Sequence, residues 1–431
     1  MPPTERFHAR RLPLCAIALV AAAGCGGSGA APPGAVSTGW TGSDAGGAGG
    51  SGTYQPAPHP PLPRVITLGG PVLTAPKVLP IVYAGDSGAA DVQAFLHELA
   101  QSAVWAQVTA EYGVGPLTVL PAVTMTTVAP KTTADGTLQS VLAANTTGAA
   151  PPWGTADPQT IYLFLLPQGT IEQDGDGSCC TEFDGYHAEA RAGSVSVPYA
   201  VTCACPGFDG PSVTALQERT IAVSHELYEA ATDPLPSTHP AFEQEDDDDA
   251  VWTLVTDGEV ADMCEFNDDA NVVPAGSTYM VQRSWSNAAA ARGDNPCVPP
   301  ATSAPYLNSF PALGSVTDSA LGAGFTTRGL KIPIGQKQTI AVTLSSAAPT
   351  DKAWTVSVYD YDTAIGTSAT PGLALSLDRS SGRNGDVLHL TVSPKHANAT
   401  LGGEAFVIVS DYGSPGDPDF ESQLTMGLVT N

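Results

Sequence analysis

Two seven-residue runs, Lys77-Val-Leu-Pro-Ile-Val-Tyr83 and Thr160-Ile-Tyr-Leu-Phe-Leu-Leu166, are apolar almost throughout. A continuous run of this length, without polar alternation, reads as a strand buried in a sheet. A turn at Gly85-Asp86-Ser87-Gly88 follows the first run. Residues 89–112 then carry Val92, Phe95, Leu96, Leu99, Val104, Trp105 and Val108 on one helical face. Residues 193–201 read as a further strand or edge, and residues 212–232 as a second long helix that Asp233-Pro234 stops. Strand, helix, strand and helix in this order predict an α/β or α+β domain over residues 64–300.

Beyond Pro299-Pro300 the pattern changes. Residues 338–344, 354–359 and 387–392 alternate apolar and polar positions between clusters of turn residues, as the strands of a small all-β sandwich do. Residues 301–431 are therefore expected to form a separate C-terminal β-sandwich domain without a catalytic constellation.

Charge narrows the partners. The chain has 17 basic and 43 acidic side chains, a formal net charge of −26. No nucleic-acid partner is expected, because phosphate backbones are held by clustered Lys and Arg. Hydrophobic residues make up 42% and charged ones 14%, which is enough apolar surface for folded cores rather than disorder.

Arg6, Arg10 and Arg11 precede an apolar run over residues 12–23 that ends in Ala22-Ala23-Gly24-Cys25. This is the layout of a secretory signal, too short for a spanning helix of about 20 residues. A Cys directly after Ala-Ala-Gly resembles the lipobox of bacterial lipoproteins, with Ala22 where that motif usually carries Leu. The resemblance implies that residues 1–25 are signal and lipobox. Cys25 would then be the lipidated first residue of an extracytoplasmic protein, anchored to a membrane of the bacterial cell envelope. Residues 26–63, rich in Gly, Ser, Ala and Pro, read as a flexible tether.

Of the eight cysteines, Cys15 would leave with the signal and Cys25, by the lipobox resemblance, would take the lipid. Cys179, Cys180, Cys203, Cys205, Cys264 and Cys297 remain, and an even set in an exported chain reads as disulfides. The expected pairing joins Cys179 and Cys180 to Cys203 and Cys205, and Cys264 to Cys297. The competing arrangement is a four-thiolate zinc site made from the first four.

One constellation carries chemistry. In Ser224-His225-Glu226-Leu227-Tyr228-Glu229, His225 and Glu229 are four residues apart and share a helix face, so both can bind one metal ion. Glu226 points about 100° away around the axis, where it can act as general base toward the attacking water. The layout follows the His-Glu-x-x-His zinc helix with Glu229 in place of the second His. Thermolysin-like enzymes complete such a site with a Glu from a neighbouring segment and orient the helix histidine with a following acidic residue. By that resemblance Glu259 is the third ligand and Asp262 the residue that orients His225. Residues His97-Glu98 also begin a His-Glu helix motif but lack a ligand at the fourth position, and are expected to be structural.

Several blocks resemble the plant Exordium, or phosphate-induced, proteins and their bacterial relatives: Leu79-Pro-Ile-Val-Tyr-Ala-Gly85, Ile161-Tyr-Leu-Phe-Leu-Leu-Pro167, Gly185-Tyr186-His187 and Val197-Pro198-Tyr199-Ala200. The bacterial branch carries Ser-His-Glu-Leu-x-Glu-x-x-Thr-Asp-Pro, matched by residues 224–234, and Gly-Glu-x-x-Asp-x-Cys, matched by 258–264. It also carries Val-Gln-x-x-Trp-Ser-Asn, matched by 281–287. The resemblance covers residues 64–300 and implies a zincin-like metallopeptidase domain with zinc near His225. The plant members do not keep the His-Glu pair.

His187, in a loop tied by the cysteine cluster, is a candidate metal ligand or hydrogen-bond donor to the transition state. Trp285-Ser286-Asn287 could line a cleft or pack the end of the domain. Residues 243–249 (EQEDDDD) read as a solvated acidic loop, with calcium as an alternative that lacks the spacing of a calcium-binding loop. The function expected from these readings is zinc-dependent hydrolysis of a peptide or protein substrate. The alternatives are a non-catalytic Exordium-like surface binding or adhesion protein and a carboxylate-pair enzyme acting on sugars.

Overall fold

The computed structural model describes residues 53–431 apart from 175–176, 245, 247, 318–325, 367 and 397–402. The signal, Cys25 and the tether as far as residue 52 lie outside the described residues. Strand outweighs helix in the chain. No helix among the described residues is long and apolar enough to cross a membrane.

The two apolar runs are neighbouring strands, Lys77–Tyr83 and Thr160–Leu166, paired in parallel. Thr118–Val119 and Val123–Met125 extend the sheet beyond Lys77–Tyr83. On the other side Val195–Cys203 adds a third long parallel strand, and Gly185–Ala192 closes that edge antiparallel to it. Alternate side chains of Thr160–Leu166 enter different cores: Ile161, Leu163 and Leu165 one, Tyr162, Phe164 and Leu166 the other. Helices α1 (Ala89–Gln101), α2 (Ala103–Thr109) and α4 (Ala215–Thr232) cover the first face, and α3 (Asp135–Thr146) the second. The continuous apolar runs follow from this burial on both faces.

The helix expected over 89–112 is broken. Ser102 is extended (ψ 160°), separating α1 from α2, and its hydroxyl donates to Leu99 O at 2.9 Å. A hydroxyl that satisfies a carbonyl of the last turn competes with helix continuation. The cysteines pair as Cys179–Cys203, Cys180–Cys205 and Cys264–Cys297, so the four-thiolate zinc arrangement does not form.

The C-terminal part is a β-sandwich of a four-stranded and a six-stranded sheet around one core. All ten residues of Gly403–Tyr412 are buried. Phe406, Ile408 and Tyr412 face the sandwich core, whereas Ala405, Val407 and Val409 join the core that contains Trp252, Met263 and Trp285. The sandwich expected as a separate domain is thus packed on the first domain through a continuous apolar layer.

The last part of the expected tether is fastened to the sandwich. Ala57 donates to Asn384 Oδ1 at 2.8 Å and its carbonyl accepts from Ser345 Oγ at 2.8 Å. His59 stacks on Phe310 at 4.4 Å, and Arg328 donates to Pro61 O at 3.0 Å.

Candidate metal centre

Helix α4 starts at a reciprocal cap: Thr214 Oγ1 accepts from Gln217 N at 3.3 Å, and Gln217 Oε1 accepts from Thr214 N at 2.9 Å. Every residue from 218 to 232 is buried, including several ionisable ones that require partners. Arg219 has one, bound to Asp86 through two bonds of 3.1 and 2.9 Å. Further along the helix the charges are of another kind. Among the described residues no Lys or Arg ion pair reaches Glu226, Glu229, Glu259 or Asp262.

His225 and Glu229 meet as the helical spacing predicts, with Nε2 and Oε2 3.1 Å apart. Asp262 Oδ1 approaches the same nitrogen at 3.5 Å. Behind the ring, Nδ1 lies 2.9 Å from Gln282 Oε1, and the Gln282 amide is oriented by donating from Nε2 to Ala261 O at 2.9 Å. The Gln282 oxygen is therefore the acceptor, and Nδ1 carries the proton. A neutral ring would present a bare Nε2 lone pair to two carboxylates, so that nitrogen needs a proton or a cation in front of it. Burial works against the imidazolium, but Glu229, Asp262 and Glu226 outweigh it and raise the His225 pKa well above its usual value.

The three donor atoms suit a tetrahedral ion. Bonds of about 2.0–2.2 Å imply donor separations near 3.3–3.6 Å, close to the two distances from His225 Nε2. Glu229 is held in place, because its other oxygen accepts from Ala261 N at 3.1 Å and Asp262 N at 3.2 Å. Burial opposes its charge, yet His225 and His187 hold its carboxyl below the usual range. The segment arrives through two successive left-handed residues, Asp257 (φ 66°) and Gly258 (φ 89°). A Cβ on Gly258 would stand 3.2 Å from both Gln244 Cβ and Thr253 Oγ1.

His187 sits on the edge strand Gly185–Ala192 rather than in a loop, opposite Ala200. Its Nδ1 is 3.8 Å from Glu226 Oε2 and 3.6 Å from Glu229 Oε2. Its Nε2 is 3.4 Å from Glu259 Oε1 and 3.2 Å from Asp233 O. Two residues before it, Gly185 makes room for Glu226: a Cβ there would stand 2.6 Å from Glu226 Oε1. Burial raises the Glu226 pKa well above its usual value; His225 opposes this, and Glu229, Asp184 and Glu265 add to it.

The structure thus gathers His225, Glu226, Glu229, Asp262, His187 and Glu259 in one place, with two exchanges of position. Asp262 stands at Nε2, where Glu259 was expected, and Gln282 supports Nδ1, where Asp262 was expected. Glu259 turns to His187 instead. Gln282 belongs to the 281–287 block, but a neutral amide gave no chemical signal in the sequence. Trp285 packs on Trp252 at 5.8 Å, Ser286 caps a short helix, and Asn287 brackets Val65 through both of its backbone polar groups. His97 lies exposed on α1.

No protein-family model matches the sequence, and no curated protein matches it. Among solved structures, domains 4 and 5 of the S-layer protein SbsC are similar to 29% of this chain at 17% identity, with a TM-score of 0.18. A longer SbsC structure, residues 31–844, gives the same values. The chain spans 52% of the first structure and 13% of the second. A likeness at this level defines neither fold nor function.

Proposed function

We propose that the protein is a lipid-anchored, extracytoplasmic zinc hydrolase of peptide bonds, with a zincin-like domain over residues 64–300 related to the Exordium proteins. The observation that carries the proposal is the imidazole of His225, with Nε2 facing Glu229 and Asp262 while Gln282 fixes Nδ1. His225, Glu229 and Asp262 would hold the zinc, which when bound supplies the Lewis acidity that polarises a peptide carbonyl.

The chain's own groups do the rest. Glu226 takes a proton from the attacking water and delivers it to the leaving amine. Its carboxylate, 3.8 Å from His187 Nδ1, stands beside the three donors rather than among them, free to exchange that proton. His187, beside Glu226 and Glu229, donates a hydrogen bond to the developing oxyanion. Substrate enters from the side of Glu259, whose side chain, at 18% exposure, is the most open of this group.

Metal analysis tests the reading. Protein purified without chelator is expected to hold about one zinc per chain and lose it in His225→Ala, whereas Glu226→Gln keeps zinc but no longer cleaves peptides. Zinc-free wild-type protein would end the proposal. A second reading, a surface-binding protein with a structural ion, draws on the burial of His225, Glu226, Glu229 and Asp262, each 8% exposed or less. Zinc retention with no cleavage by the wild type would favour it.

A further inference from the structure

We infer a second cation site, made of oxygen donors alone, at the C-terminal end of α4, and assign it to a hard divalent ion of the calcium class. Carboxylate oxygens of Asp233, Glu243 and Glu259 lie within 4.8 Å of one another. The three come from separate segments: the cap of α4, the short strand Phe242–Glu243, and the turn that follows Gly258.

Asp233 is 0% exposed. Its Oδ1 accepts from Ala241 N at 3.0 Å, while its Oδ2 is sealed from solvent and accepts no hydrogen bond. Glu259 Oε1 is also shielded without a hydrogen bond, and its neighbour is His187 Nε2 at 3.4 Å. Ionised carboxylates only accept, so Asp233 Oδ2 and Glu259 Oε1, both shut off from solvent, need a shared proton or a cation between them, with half-buried Glu243 completing the set. The site also lies at the negative end of an 18-residue helix, which favours a cation.

Donor chemistry selects the ion. Carboxylates with no nitrogen or sulfur among them suit calcium, whereas the imidazole-containing set around His225 suits zinc. Glu229 belongs to the His225 set and Glu259 to this one, with His187 standing between them. Calcium had been an alternative for the acidic run 243–249; only Glu243 of that run enters the site.

Calorimetric titration of calcium chloride into chelator-stripped full-length protein tests the assignment. One calcium per chain is expected, with affinity at least tenfold weaker in Asp233→Asn and in Glu243→Gln, both checked for native circular dichroism. His225→Ala should keep calcium while losing zinc, so the two sites are read separately. No calcium binding by folded wild type would overturn the inference and leave a shared proton in its place. Unchanged affinity in both carboxylate variants would overturn it as well. Calcium binding by a wild type that holds no zinc would support the inference while removing the hydrolase proposal.

Discussion

Gln282 approaches His225 from 57 residues away and decides which ring nitrogen faces the carboxylates. Supports of this kind typically contribute 10–100-fold to metal affinity. Gln282→Leu is therefore expected to weaken zinc binding by about that factor without unfolding the domain. Competition with a chromophoric chelator measures it, and an affinity equal to wild type would show that the ring needs no such support.

Gly185 tests the position of Glu226 without touching its chemistry. An added methyl would stand 2.6 Å from Glu226 Oε1, so Gly185→Ala must displace the carboxylate. Misplacement by about 1 Å can cost roughly 100-fold in rate. The variant is expected to lose peptide cleavage on that scale while zinc content stays near one per chain. Full activity would mean that Glu226 does not work from the position described.

Asp249 makes the joint between domain and sandwich sensitive to pH. It is 5% exposed, forms a bridge to Thr327, and lies 3.5 Å from Arg328. Burial pushes its pKa up to about 6, with Arg328 opposing and Asp246 and Asp248 adding to the rise. Because the folded pKa lies above the usual 3.8, its contribution is fully present below that value and lost as pH rises through about 6. Asp249→Asn should therefore gain stability relative to wild type between pH 4 and 7, on the order of 2–3 kcal/mol. Urea melts at both ends of the range check it; a gap that does not change with pH would refute the assignment.

Arg283 ties three segments together and is 0% exposed. It donates to Asp269 Oδ2 at 2.6 Å and to the carbonyls of Cys297 (2.7 Å) and Pro299 (3.1 Å), with Glu421 of the sandwich 3.5 Å away. Removing one member of a buried ionic group costs about 3–5 kcal/mol. Arg283→Met is expected to lose that much, read from denaturant midpoints. A loss below about 1 kcal/mol would place it among exposed pairs.

What was legible in the sequence follows from how many causes shape each element. Lys77–Tyr83 and Thr160–Leu166 could be read because burial on both faces leaves no polar position. The His225–Glu229 pair could be read because one helical turn fixes it. The third donor could not, since Glu259 and Asp262 share one short segment. Which side chain turns toward His225 depends on a left-handed turn packed against Gln244 and Thr253, contacts with no local signature. His187 looked like a loop residue because the apolar positions that alternate with it, Ala188, Ala190 and Ala192, are alanines, which carry little strand signal. The split at Ser102 was hidden because both halves keep their apolar residues on the same face.

The strap over residues 53–63 also sets an order of events. Ala57 finds its partners Ser345 and Asn384 only 288 and 327 positions later. Pro60 and Pro61 line the same cavity as Trp252, Trp285 and Phe310. A chain emerging amino end first must therefore hold this segment unfastened until Ser345 and Asn384 have been delivered. The segment is thus made well before the strands that fasten it, and a chain cut short before Asn384 would leave Ala57 without its partner there.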